Sequence, residues 1–469
     1  LKKNKLKKEI KNIKYVYLIG IGGIGMSALA RYFVDAGKIV AGYDRSESKI
    51  TDALSDLGCD ISFVDSLETI PSEIINADKS ELLIIFTPAI PKNSIILNYF
   101  INKEYELNKR SEVLGIISNN HKTVAVAGTH GKTSVSTMIA HIFHNSDKTS
   151  NAILGGISKN YNSNFILDKN SKSPEYLITE ADEFDRSFLQ LYPHTAVITS
   201  MDADHLDIYS DINDLQETFR KFMNQIDKKG NLIIKKGLVT DEERIPQNVY
   251  TYSFAEESDF FALNVFSGSD FGTFDISTPK GIFKDFKISI PGRLNIENAV
   301  AAFAASFVNG IDAETIKNAL SHWNGVKRRF EYIIKTPEIV FIDDYAHHPE
   351  EIKAFVASVK DIYKDKKMLG IFQPHLFSRT RDFSTEFANE LSELENIILL
   401  EIYPAREEPI PGVTSDIIFS KIKSKNKIKS NKEDLLKTID SIDFDIVLTI
   451  GAGDIDKMVE PIKKMLLSI

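Results

Sequence analysis

V-A-V-A-G-T-H-G-K-T-S-V-S-T, Val124 to Thr137, reads as an apolar strand, a turn on two glycines and a helix that opens on lysine and threonine. In such a turn backbone N–H groups face phosphate oxygens, Lys132 reaches the β- and γ-phosphates, and the Thr133 hydroxyl is a ligand for Mg²⁺. The stretch departs from the full G-x-x-x-x-G-K-[ST] loop. Val126 stands where the first glycine belongs, while Gly128, Gly131, Lys132 and Thr133 remain. The strand before it and the helix after it make it a site for ATP or GTP, with Thr129, His130 and Ser134 completing the loop.

Such a loop needs a metal partner, and two acidic stretches offer one. E-A-D-E-F-D, Glu180 to Asp185, follows the apolar strand Tyr176 to Thr179, and D-A-D-H-L-D, Asp202 to Asp207, follows Ala196 to Thr199. Both fall at strand ends, where open parallel sheets place their ligands. A carboxylate there can hold Mg²⁺, and a histidine can join a second ion. Taken singly, either stretch is an ordinary solvated acidic loop.

Upstream, L-I-G-I-G-G-I-G-M-S-A-L-A, Leu18 to Ala30, is a second strand, glycine turn and helix, with Gly20, Gly22 and Gly25 at G-x-G-x-x-G spacing. Strands at Ile39 to Tyr43, Ile61 to Val64 and Leu82 to Phe86 alternate with helical patterns, which is the rhythm of a parallel sheet. The last of these ends in the proline-punctuated loop that begins at Thr87, at the ligand edge. The turn suits a diphosphate. By itself it leaves open a nicotinamide dinucleotide, with Asp44 as the acid on the ribose.

Downstream, a helix is expected from about Leu215 to Ile226 and an aromatic, β-rich antiparallel flank between Val249 and Ile290, closed by helices near Trp323. Strands at Glu338 to Ile342, Met368 to Phe372, Ile397 to Ile402 and Ile446 to Ile450 then form another open α/β sheet. D-D-Y-A-H-H-P-E carries two histidines before Pro349, better suited to hydrogen bonding than to zinc because no third ligand stands at the right spacing. F-Q-P-H-L-F-S-R-T-R offers Arg379, whose planar fork suits a carboxylate. The expected architecture is three α/β domains. Residues 1–117 form a Rossmann-like parallel sheet, 118–330 a P-loop ATPase-like domain with an antiparallel flank, and 331–469 a second Rossmann-like domain.

The 469 residues are too many for one core, and 43% are apolar. With 57 basic against 66 acidic residues, the net charge of −9 argues against a general nucleic-acid binder. Cys59 is the single cysteine, so there is no intrachain disulfide, and a reducing cytoplasm is the expected compartment. The basic start L-K-K-N-K-L-K-K lacks a following apolar segment, so neither a secretory signal nor membrane insertion is expected. A P-loop switch or motor is a further reading of the same motifs; it leaves the first glycine turn idle, as a dehydrogenase leaves the P-loop idle.

In this order the motifs resemble the Mur ligases. The matching pieces are G-I-G-G-I-G-M-S-A-L-A, A-G-T-H-G-K-T-S, E-A-D-E-F-D-R-S-F-L, D-A-D-H-L-D-I-Y, G-R-L-N-I-E-N-A, G-V-K-R-R-F-E, D-D-Y-A-H-H-P-E-E-I, F-Q-P-H-L-F-S-R-T and I-Y-P-A-R-E, spread over residues 20 to 407. The resemblance implies an ATP- and Mg²⁺-dependent ligase of peptidoglycan precursor synthesis, a monomer or weak homodimer. It would join L-alanine to the lactyl carboxylate of UDP-N-acetylmuramate through an acyl phosphate, or in a related branch recycle a tripeptide. It further implies that Gly22, Gly23, Ile24, Gly25, Asp44 and Thr87, with His130, hold the UDP-sugar, and that Thr133, Glu180 and His205 surround Mg²⁺. Asn295 and Asn298 would lie on the adenine side, and Arg329 and Asp344 by the ATP. His348 and Arg379 would orient the alanine, with Lys132, Glu180 and His205 completing the catalytic set. Leu294 stands where members often have histidine, and Phe184 replaces a small polar residue.

Overall fold

Apolar runs such as Val16 to Ile19, Leu82 to Ile85 and Phe341 to Ile342 are buried on consecutive residues. That is the pattern of strands covered on both faces, and parallel sheets provide it. The computed structural model describes residues 12–168, 170–171, 173–202, 208–238, 248–405 and 407–468, and has three sheets. The basic start and His205 lie outside the described residues.

The first sheet runs β3-β2-β1-β4-β5, with β1 Tyr15–Ile19, β2 Ile39–Tyr43, β3 Asp60–Ser62, β4 Leu82–Phe86 and β5 Leu107–Lys109. Its pairings are all parallel. The order reverses between β1 and β4, which opens a crevice at their carboxyl ends. Helix α1, Ile24–Asp35, leaves β1 there, and α2, Arg110–Ser118, follows β5 directly.

The second sheet has ten strands in the order β15-β14-β13-β12-β11-β10-β6-β9-β7-β8. They are β6 Lys122–Ala127, β7 Ser150–Ser158, β8 Ser163–Ile166, β9 Tyr176–Ala181, β10 Thr195–Ile198, β11 Asn231–Lys235, β12 Asn248–Ser253, β13 Phe260–Ser267, β14 Gly272–Thr278 and β15 Gly281–Ile288. β6 lies between β10 and β9, parallel to both, and leads into helix α3, Lys132–His144. Helices α4, Ile212–Met223, and α5, Arg293–Val308, follow. α4 starts earlier than expected because the Asp211 side chain caps it, accepting from Asp214 N. The expected antiparallel flank also needs correction at its start. β12 pairs in parallel with β11 and with β13, so Val249 to Ser253 continue the parallel sheet.

The third sheet runs β16-β17-β21-β18-β19-β20, with β16 Glu331–Lys335, β17 Val340–Asp344, β18 Met368–Phe372, β19 Asn396–Leu399, β20 Asn426–Lys429 and β21 Ile446–Ile450. Only β16, at its edge, pairs antiparallel among the pairings described. Helices α6, Pro349–Ile362, and α7, Phe377–Asp382, carry the histidine and arginine motifs.

By internal contacts the chain forms two units, one of residues 1–261, 276–283 and 298–320, the other of 262–275, 284–297 and 321–469. In the first unit one apolar cluster runs from Val16, Leu18 and Phe33 to Ala125, Leu177 and Ile198, and another gathers Tyr17, Ile84 and Phe100. In the second, Phe341, Leu369, Ile398 and Val447 centre the core of the third sheet. Among the described residues no helix is long and apolar enough to cross a membrane.

Candidate active site

The first glycine turn sits at the switch point of the first sheet. Gly20 adopts φ 92°, and a Cβ there would stand 2.9 Å from the Thr87 methyl at the end of β4. Gly22 N–H donates to Asp44 Oδ2 at 2.8 Å, so a carboxylate already occupies one of the donors of the turn. The structure thus brings Gly22, Gly23, Ile24, Gly25, Asp44 and Thr87 to the carboxyl ends of β1, β2 and β4. From the second sheet, Asn164 on β8 donates to Ile24 O at 2.6 Å and to Ser27 Oγ at 2.9 Å, tying the start of α1 down.

The P-loop is strapped to the end of β10. His130 N–H donates to Ser200 Oγ at 2.8 Å, Thr129 N–H to Ser200 O at 3.3 Å, and the Thr199 hydroxyl donates to His130 O. Gly128 has φ 137°, and a Cβ there would lie 2.1 Å from Thr199 Oγ1, so only glycine fits. Two N–H groups of the loop are therefore used internally. Those of Lys132, Thr133 and Ser134, in the first turn of α3, have no intrahelical acceptor and face outward along the helix axis. Val135 is the first to bond back, to Gly131 O at 3.0 Å. Asn298, on α5, places Oδ1 3.3 Å from the position a Gly131 Cβ would take.

Lys132 is mostly buried, and its Nζ donates to Gly128 O at 2.6 Å and to both oxygens of Glu183 at 2.9 and 2.8 Å. Burial alone would push this ammonium down. Glu183, with Asp182 and Glu180 beyond it, overrides that and holds it above the ordinary lysine range. Glu183 is itself buried, and Tyr209 OH donates to its carbonyl at 2.6 Å. Glu180 Oε1 accepts from Gly155 N at 2.8 Å and from Ser136 Oγ at 3.4 Å. A Cβ on Gly155 would stand 2.3 Å from Glu180 Oε2, so that glycine makes room for the carboxylate.

For a metal, Thr133 and Glu180 supply a hydroxyl and a carboxylate around the start of α3, the hard oxygen donors that Mg²⁺ takes. No group of three or more His, Cys, Asp and Glu that could form a cage exists among the described residues. Mg²⁺ at a triphosphate needs none, since phosphates and water complete its shell.

On the same face, Arg110 at the start of α2 pairs with Asp182 at 3.2 Å and Lys109 with Asp185 at 2.8 Å. Asp185 and Arg186 both take positive φ, 53° and 52°. Arg186 is held by Asp214 at 2.8 Å, which fixes the bend after the acidic strand end.

In the second unit His348 is buried and caps α6, its Nδ1 accepting from Glu350 N at 3.4 Å, with its ring edge-on to Phe383. Glu351 gathers His347 N at 2.9 Å, His347 Nδ1 at 3.1 Å and Arg329 at 3.7 Å. Asp344 accepts from Phe330 N at 2.6 Å and Ala346 N at 2.8 Å, and burial pushes its carboxyl up to about 6 against the pull of Arg329. Arg379 is buried in α7. Asn295, in the first turn of α5, donates to Pro291 O at 3.0 Å, just before the helix begins.

Glu183, Arg110 and Glu351 were not singled out by the sequence. For Glu183 a signal existed, the crowding of acids after β9; for the other two, single charges at helix starts gave none.

Three family models match in sequence: "Mur ligase family, catalytic domain" over residues 15–122, "Mur ligase middle domain" over 126–306 and "Mur ligase, glutamate ligase domain" over 328–453. A UDP-N-acetylmuramate–L-alanine ligase of Parabacteroides distasonis is 46% identical over 459 residues, 98% of each chain. Its counterpart in Cytophaga hutchinsonii is 44% identical over 455 residues, 96% of this chain and 97% of that one. Among solved structures, UDP-N-acetylmuramate–alanine ligase of Thermotoga maritima superposes with TM-score 0.80 at 25% identity, covering 97% of this chain and 99% of that one. A murein peptide ligase of Psychrobacter arcticus gives 0.69 at 22% identity over 97% and 99%, a likeness of fold.

Proposed function

This chain belongs to the Mur ligase family, and from that premise we propose that it joins L-alanine to the lactyl carboxylate of UDP-N-acetylmuramate at the expense of ATP. What carries the reading is the end-to-end likeness to relatives named for that reaction. The two glycine turns support it, since each is a cradle for a phosphate-bearing ligand. A nicotinamide dinucleotide would use only the first, a nucleotide switch only the second.

We assign residues 1–117 to the UDP-sugar, 118–330 to ATP and 331–469 to the amino acid. The diphosphate of the sugar lies on Gly22, Gly23, Ile24 and Gly25, with Asp44, Thr87 and His130 as further contacts. The ATP phosphates lie along Gly128 to Ser134. Asn295 and Asn298 serve the adenine side, and Arg329 and Asp344 the phosphate side. Thr133 and Glu180, with His205, would hold Mg²⁺, which when bound neutralises phosphate charge.

A carboxylate oxygen of the sugar attacks the γ-phosphorus, the bond to the β-phosphate oxygen breaks, and ADP leaves. The amine of alanine then attacks the acyl phosphate carbonyl, and phosphate departs with the attacking carboxylate's oxygen. This splits one difficult displacement into two easier ones. Lys132 supplies fixed positive charge where negative charge gathers on the transferred group. His348 and Arg379 orient the alanine, the arginine by a two-pronged hold on its carboxylate.

The test is phosphate release with UDP-N-acetylmuramate while the amino acid is varied. Release that requires L-alanine supports the reading. Release without any acceptor, or only with a peptide, overturns it.

A further inference from the structure

The first glycine turn has N–H donors but no cation of its own, because Gly20 to Ala30 contains neither lysine nor arginine. A nucleoside diphosphate brings two or more negative charges, and N–H groups alone leave most of that charge unneutralised. The structure places one guanidinium directly on the turn. A Cβ at Gly25 would lie 2.6 Å from Arg110 Nη1, 3.0 Å from its Cδ and 3.1 Å from its Cζ, so the arginine lies flat against the first turn of α1. Its other terminal nitrogen, Nη2, pairs with Asp182 at 3.2 Å. The two side chains are 24% and 38% exposed, which makes the pair weak and exchangeable. The absence of a side chain at Gly25 is what lets this cation reach the place where a phosphate would sit.

We propose that Arg110 is a binding residue for the diphosphate of the nucleotide-sugar, and that Asp182 competes with the ligand for its guanidinium. The inference rests on the UDP-sugar reading above. It adds that one end of the acidic strand loop beside the P-loop responds to occupancy of the other substrate's cradle. Arginine suits this task because its fork can hold two phosphate oxygens together.

The experiment compares R110A, R110K and D182N with the wild type. It measures KM for UDP-N-acetylmuramate and for ATP, and titrates UDP calorimetrically. R110A should raise the KM for the sugar nucleotide about tenfold to a hundredfold and weaken UDP similarly, with the KM for ATP within about twofold. R110K should fall between the two. D182N should leave sugar-nucleotide KM unchanged or lower it.

A purely structural arginine, bracing the acidic loop, predicts instead that R110A and D182N share one defect and that both disturb ATP; that result overturns the proposal. So does loss of the sugar nucleotide with UDP binding intact, which would assign Arg110 to the lactyl carboxylate. Wild-type protein whose phosphate release ignores UDP-N-acetylmuramate would fail at the first control, and there the reaction itself falls, not Arg110 alone.

Discussion

In the role proposed for it, Lys132 would meet ATP from within an ion pair. Glu183 grips the ammonium with both oxygens, and the acids around it keep the lysine charged despite burial. K132A should abolish ligation almost completely while leaving binding of the UDP-sugar within a few-fold, because the other cradle keeps its own donors. Ordinary turnover in K132A, measured by phosphate release, would remove the loop from the mechanism. R379A should raise the KM for alanine or lower kcat far more than it weakens ATP binding, since a lost carboxylate hold frees the amine from attack geometry. A change confined to ATP would give Arg379 to the nucleotide. At this scale the sequence was legible where spacing carries the chemistry, as at Gly128, Gly131, Lys132 and Thr133. It was silent on Arg110, because what matters there is a guanidinium lying on a glycine far away in the chain, and no local pattern encodes such a contact.

Between the helices that follow the second sheet and the strand β17 lies a short bent segment. Arg328 and Phe330 both take positive φ, 62° and 45°, which side-chain-bearing residues adopt only when held. Three carboxylates hold them: Asp343 on Arg328 Nε at 3.1 Å, Glu331 on Arg328 N at 2.8 Å and Asp344 on Phe330 N at 2.6 Å. Burial pushes up the carboxyl of Asp343 and also that of Asp344. For Asp344 the folded value rises from an ordinary 3.8 to about 6, so between those values the folded chain binds a proton that the unfolded chain does not. Stability from this group is therefore greatest at low pH and declines as pH climbs from roughly 4 to 6, by about 3 kcal/mol. In D344N that part of the decline should vanish from urea melts taken across the window; an unchanged slope would mean the carboxyl titrates normally. Elements of this kind were the hardest to read from sequence. Strands with continuous apolar runs, such as β4 and β21, were legible, and β2 and β18 likewise. The hairpin β7–β8 and the edge strands β16 and β20 were not, because Asn and Gly interrupt the hairpin, β16 is mostly half-buried and β20 carries one apolar residue.

At the scale of the whole molecule, two cradles of the same design sit in one unit, each a strand, a glycine turn and a helix start. That much followed from sequence, because the motif is local. The order of the strands did not, since β21 enters between β17 and β18 and the β12 pairings are set by partners distant in the chain. In the proposed reading the charges of the second cradle would face the β- and γ-phosphates, which predicts ADP and orthophosphate as products. With ¹⁸O in the lactyl carboxylate, the released phosphate should carry one labelled oxygen by mass spectrometry. Unlabelled phosphate, or AMP, would sink the acyl phosphate route. The hold of Glu183 on Lys132 also bears on how the site empties. Orthophosphate left after turnover has to displace a buried carboxylate to keep the lysine, whereas ATP brings a whole chain of phosphates to the task. Phosphate should accordingly be a poor inhibitor of the wild type, and its Ki should drop about tenfold in E183Q; equal constants would show that the carboxylate takes no part. In the language of ion exchange, the loop carries its own eluent, and what was loaded for one turnover is stripped before the next.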